Sequence, residues 1–211
     1  MNCLIISGYH GVPFMKKEKN MKNEIKFYNE KIEDVTGFFL ENQTFFDPSA
    51  LMNESFSAFI NKSYLELQAK KAKICVTYAT LNLLHALKQS EILETADDAR
   101  LAVERVLTLA KCGLVELIGH PENRYNEPQQ ILIAAVKYRA NRQVAVVTCN
   151  RKLQDDILLQ NSLKSFRGKM IAALYTTKSG KLYRCGKTEL PDTVQPDAAI
   201  HEDLSDLFKI A

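Results

Sequence analysis

Along the chain, short unbroken apolar runs alternate with longer segments in which apolar residues recur every three or four positions. The clearest pair is Gln143 to Leu158, QVAVVTCNRKLQDDIL. Val144 to Val147 is an uncharged, β-branched-rich run, the pattern of a strand covered on both faces in a parallel sheet. Thr148, Cys149 and Asn150 end it. Leu153, Ile157 and Leu158 then return at helical spacing, so the stretch predicts strand, polar turn and helix.

The same alternation recurs on both sides of this stretch. Thr44 to Leu51, TFFDPSAL, predicts an aromatic strand that delivers Asp47 to its end, with Pro48 opening a turn or a helix. Phe56, Phe59, Ile60, Tyr64, Leu65 and Leu67 mark an amphipathic helix extending to Lys73. KICV at 73 to 76 predicts a strand, and Tyr78 to Leu87 a largely apolar helix interrupted by Asn82 and His85. Glu94 to Cys112 predicts a helix stopped by Gly113, followed by a strand over Leu114 to Ile118. After the polar turn GHPENRYN, Glu127 and Pro128 start a helix running to Tyr138. Lys169 to Tyr175 is a further strand, and Lys181 to Cys185 its hairpin partner across a Ser-Gly turn. The βαβαβαβ order predicts an α/β fold: a three-layer α/β/α sandwich around a central, mainly parallel sheet, with a C-terminal β-hairpin extension.

Composition narrows the class without choosing a partner. The chain has 211 residues, 46% hydrophobic and 25% charged, a length and balance that suit one globular domain with extensions. Residues 1–40 read as a leader and helix, 41–190 as the domain, and 191–211 as an acidic tail. That tail ends in an amphipathic segment around Leu204, Leu207, Phe208 and Ile210, suited to packing in cis or to a homodimer contact. The lysine-rich stretch over 15–35 is diluted by Glu18, Glu24, Glu30 and Glu33, so it reads as a solvated leader or surface helix rather than a basic arm. A net charge of +3 is too small to indicate nucleic acid by itself. Five scattered cysteines without a CxxC spacing suggest reduced thiols and a cytoplasmic location. The N-terminus makes a poor signal peptide and no run has the length of a membrane span.

The candidate chemistry gathers where strands end or helices begin: Asp47, Asn82, Glu127 and Asn150, with Asp155 and Asp156 one turn further on. In an open α/β sheet the crevice beyond the carboxyl ends of the strands is where ligands bind. Clustered carboxylates with amide and water oxygens suit hard ions such as Mg²⁺ or Mn²⁺. For Asp47 the alternative is a helix N-cap, worth about 1 kcal/mol, and both roles are compatible if one oxygen caps while the other faces the cleft. His85 and His120 read as ordinary boundary and loop residues.

In order and wording these segments resemble the PIN-domain ribonucleases over roughly residues 40–185. TFFDPSAL looks like that family's opening strand with its first acid, and KICVTYATLNLLHAL like the second strand and the helix carrying a glutamate before a leucine. NEPQQILIAAVKYR looks like the helix begun by the third acid, and VAVVTCNRKLQDDIL like the strand, "TxD" turn and helix that carry the fourth. The resemblance implies a metal-dependent endoribonuclease cleaving RNA phosphodiesters. Asp47, Glu127 and Asn150 would be its catalytic residues, and Asp47, Glu127, Asp155 and Asp156 its Mg²⁺ or Mn²⁺ ligands. Asn82, Thr148 and Lys152 would be its substrate contacts, and Gln129 is the alternative to Glu127 if the register shifts. Asn82 and Asn150 stand where the family carries acids, and an amide brings no negative charge to a divalent cation.

Three functional classes follow. The first is the metal-dependent ribonuclease. The second is a member of the same fold that has lost cleavage and binds RNA or a protein, with Lys152, Lys164, Arg167 and Lys169 as a phosphate-tracking surface near the cleft. The third is a nucleotide- or phosphate-binding regulatory domain on a related doubly wound sheet, disfavoured because neither a P-loop nor GxGxxG is present.

Overall fold

The computed structural model describes residues 29–122, 127–162 and 169–186, the side chains of Asn29, Glu127 and Pro128 excepted. In chain order these residues form β1 (Asn29–Lys31), α1 (Val35–Glu41), β2 (Asn42–Phe46), α2 (Pro48–Met52), α3 (Glu54–Ala69), β3 (Ile74–Thr77) and α4 (Tyr78–Leu87). There follow α5 (Leu93–Lys111), β4 (Val115–Ile118), α6 (Glu127–Tyr138), β5 (Gln143–Val147), α7 (Arg151–Ser162), β6 (Ile171–Thr176) and β7 (Leu182–Cys185).

The strands join one mixed, mostly parallel sheet in the order β1-β7-β6-β5-β2-β3-β4. β2 and β5 lie side by side in parallel, from Asn42 opposite Gln143 to Phe46 opposite Val147. From β2 the chain proceeds outward through β3 to β4, and from β5 outward through β6. The gap beyond β2 and β5 is therefore the point where the winding direction switches, the usual ligand crevice of such sheets. β7 returns antiparallel on β6, as the hairpin pattern predicts, and Tyr175 stacks on its cross-strand partner Tyr183 at 5.6 Å.

Strand alternation sends neighbouring side chains to opposite faces, and each face has its own apolar cluster. Phe46, Val76, Ala145, Val147 and Leu174 pack with Phe39 of α1, Leu51 of α2, Phe56, Phe59 and Leu67 of α3, Leu84 of α4 and Val106 of α5. Phe45, Cys75, Val144, Val146, Ile171 and Ala173 pack with Ile131 and Ala135 of α6 and with Leu153 and Ile157 of α7. Phe46 anchors the first cluster through ring contacts to Phe39, Phe56 and Phe59.

Three sequence expectations change. Residues 1–28 of the expected leader lie outside the described residues, but Asn29–Lys31 is an edge strand paired with β7 rather than part of a helix. α3 stops at Ala69 rather than Lys73, because Lys71 adopts a left-handed φ of 55° and closes the helix. The Lys71 N–H donates to the Gln68 carbonyl at 3.1 Å and the Ala72 N–H to that of Leu67 at 2.9 Å, the paired bonds of a Schellman ending. Leu65, expected on the apolar face of α3, stays 77% exposed, because it is flanked on the helical wheel by positions that face solvent. Gly113 ends α5 as expected, with φ 74° and the same paired bonds from Gly113 and Leu114.

Gly180 closes the β6–β7 turn at φ 70°, and a Cβ there would lie 2.4 Å from the Ala58 carbonyl oxygen in α3. At Gly113 a Cβ would meet nothing within 4 Å. Gly113→Ala should therefore cost only the left-handed penalty, about 1–2 kcal/mol, while Gly180→Ala adds backbone overlap for a total of about 2–4 kcal/mol. Urea unfolding midpoints of the two variants, compared with wild type, check the ranking.

Candidate functional site

The two chain segments that leave the switch point are tied to each other by a buried carboxylate. Asp47 follows β2 at 2% exposure and is the one buried acid among the described side chains. It caps α2, its Oδ1 accepting the Ala50 N–H at 2.8 Å, as the TFFDPSAL pattern allows. Its Oδ2 accepts the Thr148 hydroxyl from the end of β5 at 2.7 Å. Ser49 Oγ lies 2.9 Å from both carboxylate oxygens and itself accepts the Cys149 N–H at 3.0 Å. The Asp47 N–H donates to the Val147 carbonyl at 3.2 Å, extending the β2–β5 ladder by one bond. Neither carboxylate oxygen is left wholly to the cleft, because the second is bonded to Thr148.

Burial is the largest influence on the Asp47 carboxyl and raises its affinity for a proton above the ordinary 3.8. The hydrogen bonds from Thr148, Ala50 and Ser49 oppose this without cancelling it. A carboxylate desolvated at a strand-end crevice is a candidate functional group, and Asp47 is one on that ground.

Asn150 stands at the opposite rim as the N-cap of α7. Its Oδ1 accepts the Lys152 N–H at 3.0 Å and the Leu153 N–H at 3.4 Å. Its own N–H donates to Thr148 Oγ1 at 2.9 Å, so Asp47, Thr148 and Asn150 form one chain of hydrogen bonds. Gln154, buried one turn into α7, donates its amide to the Thr148 carbonyl at 2.8 Å and fixes the turn from below.

The remaining candidates lie elsewhere. Asn82 is exposed on α4 and donates to the Pro121 carbonyl at 3.1 Å, which ties that helix to the loop after β4. Asp155 pairs with Arg151 at 3.4 Å and lines a cavity of about 310 Å³ with Cys149, Tyr175 and Cys185. Asp156, one position round the helix, is raised by partial burial, an effect that the charge of Lys152 opposes. Neither acid is among the groups that hydrogen-bond Asp47 or shift its carboxyl. Lys152 is exposed beside Asn150. Glu127 opens α6, but its side chain lies outside those described, and Gln129 is half-buried in the same turn. Lys164 and Arg167 lie outside the described residues. Lys169 precedes β6, at the amino end of the sheet, so it does not share a surface with Lys152 at the carboxyl end.

Ser49 and Gln154 escaped the sequence reading, though a hydroxyl two positions after an N-cap aspartate is a recognisable local signal. Thr77 is a further strand-end hydroxyl, capping α4 through the Thr80 N–H at 3.0 Å.

As donors for a hard divalent ion, the described residues at the switch point offer one carboxylate and the hydroxyls of Ser49 and Thr148. The Asn150 oxygen is occupied by two backbone N–H groups, and no three acidic, histidine or cysteine side chains converge among the described residues. This set does not by itself match the several anionic oxygens that Mg²⁺ prefers. Comparison of the sequence with protein-family models gives no match, and comparison with curated proteins gives none.

Because the folded value of Asp47 lies above the unfolded one, its contribution to stability is full below 3.8 and is lost as pH rises through the elevated value. Asp47→Asn keeps the capping oxygen and removes the penalised charge, so it should unfold at higher temperature than wild type at pH 7. The gap should close as pH falls towards 4. Asp47→Ala, lacking the cap, should fall about 1 kcal/mol or more below the Asn variant. Thermal melts at pH 4 and pH 7 test this; a wild type more stable than Asp47→Asn at neutral pH would show that the hydrogen bonds outweigh burial.

Proposed function

We propose that this chain is a PIN-like domain, a three-layer α/β/α sandwich, that binds RNA at the carboxyl edge of its sheet with a site weakened for cleavage. The observation that carries this reading is the bond between Asp47 and Thr148 across the switch point, with Asn150 held as a helix cap where the resembled family places an aspartate. The two separate apolar clusters on opposite sheet faces support the layered arrangement. No helix among the described residues is long and apolar enough to cross a membrane. A cytoplasmic location, with the thiols reduced, goes with this reading.

At the cleft, Asp47 supplies charge and Ser49 and Thr148 fix its orientation. The backbone N–H groups at the start of α7 are occupied by the Asn150 side chain rather than by a ligand. The exposed Lys152 meets a phosphate at the rim. A divalent ion, when bound, would supply Lewis acidity and an activated water. Asp47 would be the one described carboxylate to hold it, with the hydroxyls of Ser49 and Thr148 beside it.

The second reading, a Mg²⁺- or Mn²⁺-dependent endoribonuclease, is favoured by one specific observation. Glu127 begins α6, which follows β4 and so starts on the same strand-end side of the sheet as Asp47.

Incubating the purified protein with single-stranded RNA, with and without Mn²⁺, separates the readings. Wild type should bind RNA without cutting it. Asn150→Asp keeps a good N-cap and adds a charge beside Asp47, so calorimetry should show at least a tenfold gain in Mn²⁺ affinity. Cleavage by wild type that disappears in Asp47→Asn establishes the nuclease; absence of RNA binding at low salt rejects both.

A further inference from the structure

A second pocket lies at the other end of the same strands. Gln43 is four residues before Asp47 on β2, about 13 Å away along an extended strand. The pocket beside it, of about 580 Å³, is lined by Lys71, Lys73, Arg142 and Lys169, with Glu41 and Glu116 the acids on its wall. All four cations are exposed, and none makes an ion pair with a described carboxylate. Four positive against two negative groups leaves a net attraction for an anion.

Two further features point to a ligand. Gln43 is 7% exposed, yet its Oε1 has no hydrogen-bond partner among the described residues, and its side chain lies close to the Cys75 thiol, which lines the same pocket. A buried acceptor left open needs a donor from elsewhere. That thiol is pushed up to about 12 by burial, so the floor of the pocket beside Gln43 is uncharged at neutral pH. Lys71 holds the left-handed φ of 55° at the end of α3, a place where glycine would sit without strain. The chain tolerates that strain with a lysine at the pocket edge.

We propose that this pocket binds a ribonucleoside phosphate. Lys71, Lys73, Arg142 and Lys169 neutralise its phosphate, and a sugar hydroxyl or base amino group donates to Gln43 Oε1. Cations alone would accept any anion; the buried carbonyl selects one that also carries a hydrogen-bond donor. The site does not depend on the chemistry at Asp47, since it opens at the opposite end of the sheet. The ligand can arrive as a free nucleotide or as one unit of an RNA strand.

Calorimetry on the full chain with AMP, inorganic phosphate and a short oligoribonucleotide tests the assignment. Binding of AMP identifies a free nucleotide as sufficient, and binding of the oligonucleotide alone identifies an RNA strand. Either supports the site if Lys73→Glu with Arg142→Glu lowers affinity at least tenfold and Asp47→Asn does not. Gln43→Met should weaken AMP or the oligonucleotide several-fold and leave inorganic phosphate unchanged. Lys71→Gly should raise the unfolding midpoint while lowering affinity, a combination that a purely structural lysine would not give. Failure of AMP and oligonucleotide to bind at millimolar concentration overturns the proposal, as does binding indifferent to the charge reversal. Equal binding of inorganic phosphate, insensitive to Gln43→Met, overturns the nucleoside part. Circular dichroism of each variant excludes misfolding as the cause of a loss.

Discussion

The parallel pairing of β2 with β5 is the constraint from which the rest follows. These strands are separated by most of the domain's sequence, and their register sets which side chains meet at each end of the sheet. At the carboxyl end it brings Phe46 opposite Val147, so that the residues that follow them, Asp47 and Thr148, come within a hydrogen bond. At the amino end it brings Asn42 opposite Gln143 and places Gln43 beside the loop that carries Arg142. A slip of one residue would turn Phe45 and Phe46 to the wrong faces and empty both apolar clusters.

Asp47 shows how a single group can serve two structural ends at once. As a cap it satisfies the first turn of a helix only five residues long. As a link it receives Thr148 and Ser49, and so holds two loops that would otherwise be joined by backbone alone. Its burial opposes ionisation, which is the cost of keeping a charge where solvent is largely excluded. Asparagine would fill the cap as well, so the first turn of α2 does not itself require the charge.

Much of the architecture was legible because its signals are local. Val144 to Val147 could hardly be other than a buried strand, and Tyr78–Leu87 and Glu127–Tyr138 form helices with the bounds that their caps and apolar spacing predict. The end of α3 was not legible, since a lysine in a left-handed conformation has no sequence signature where glycine is the expected residue. β1 was hidden for a different reason: Asn29–Lys31 is polar and becomes a strand only because β7 offers it an edge. The site was half legible. Asp47, Thr148 and Asn150 meet as their positions suggest, but whether a carboxylate one turn into a helix reaches a cleft depends on a rotation that spacing alone leaves open. Asp155 turns towards Arg151 and the β6–β7 side instead.

The two borders of the sheet end differently from its centre. β4, with Glu116 and Leu117 exposed, and the three-residue β1, with Glu30 bonded to Arg184, are short and carry charge, whereas β2 and β5 are uncharged and almost wholly buried. A long, uncharged margin would invite strands of other molecules to add on, and brief charged margins discourage that growth. The sheet is thus self-limiting, and its most adhesive strands are those that every folding molecule must place in the middle before any neighbour can reach them.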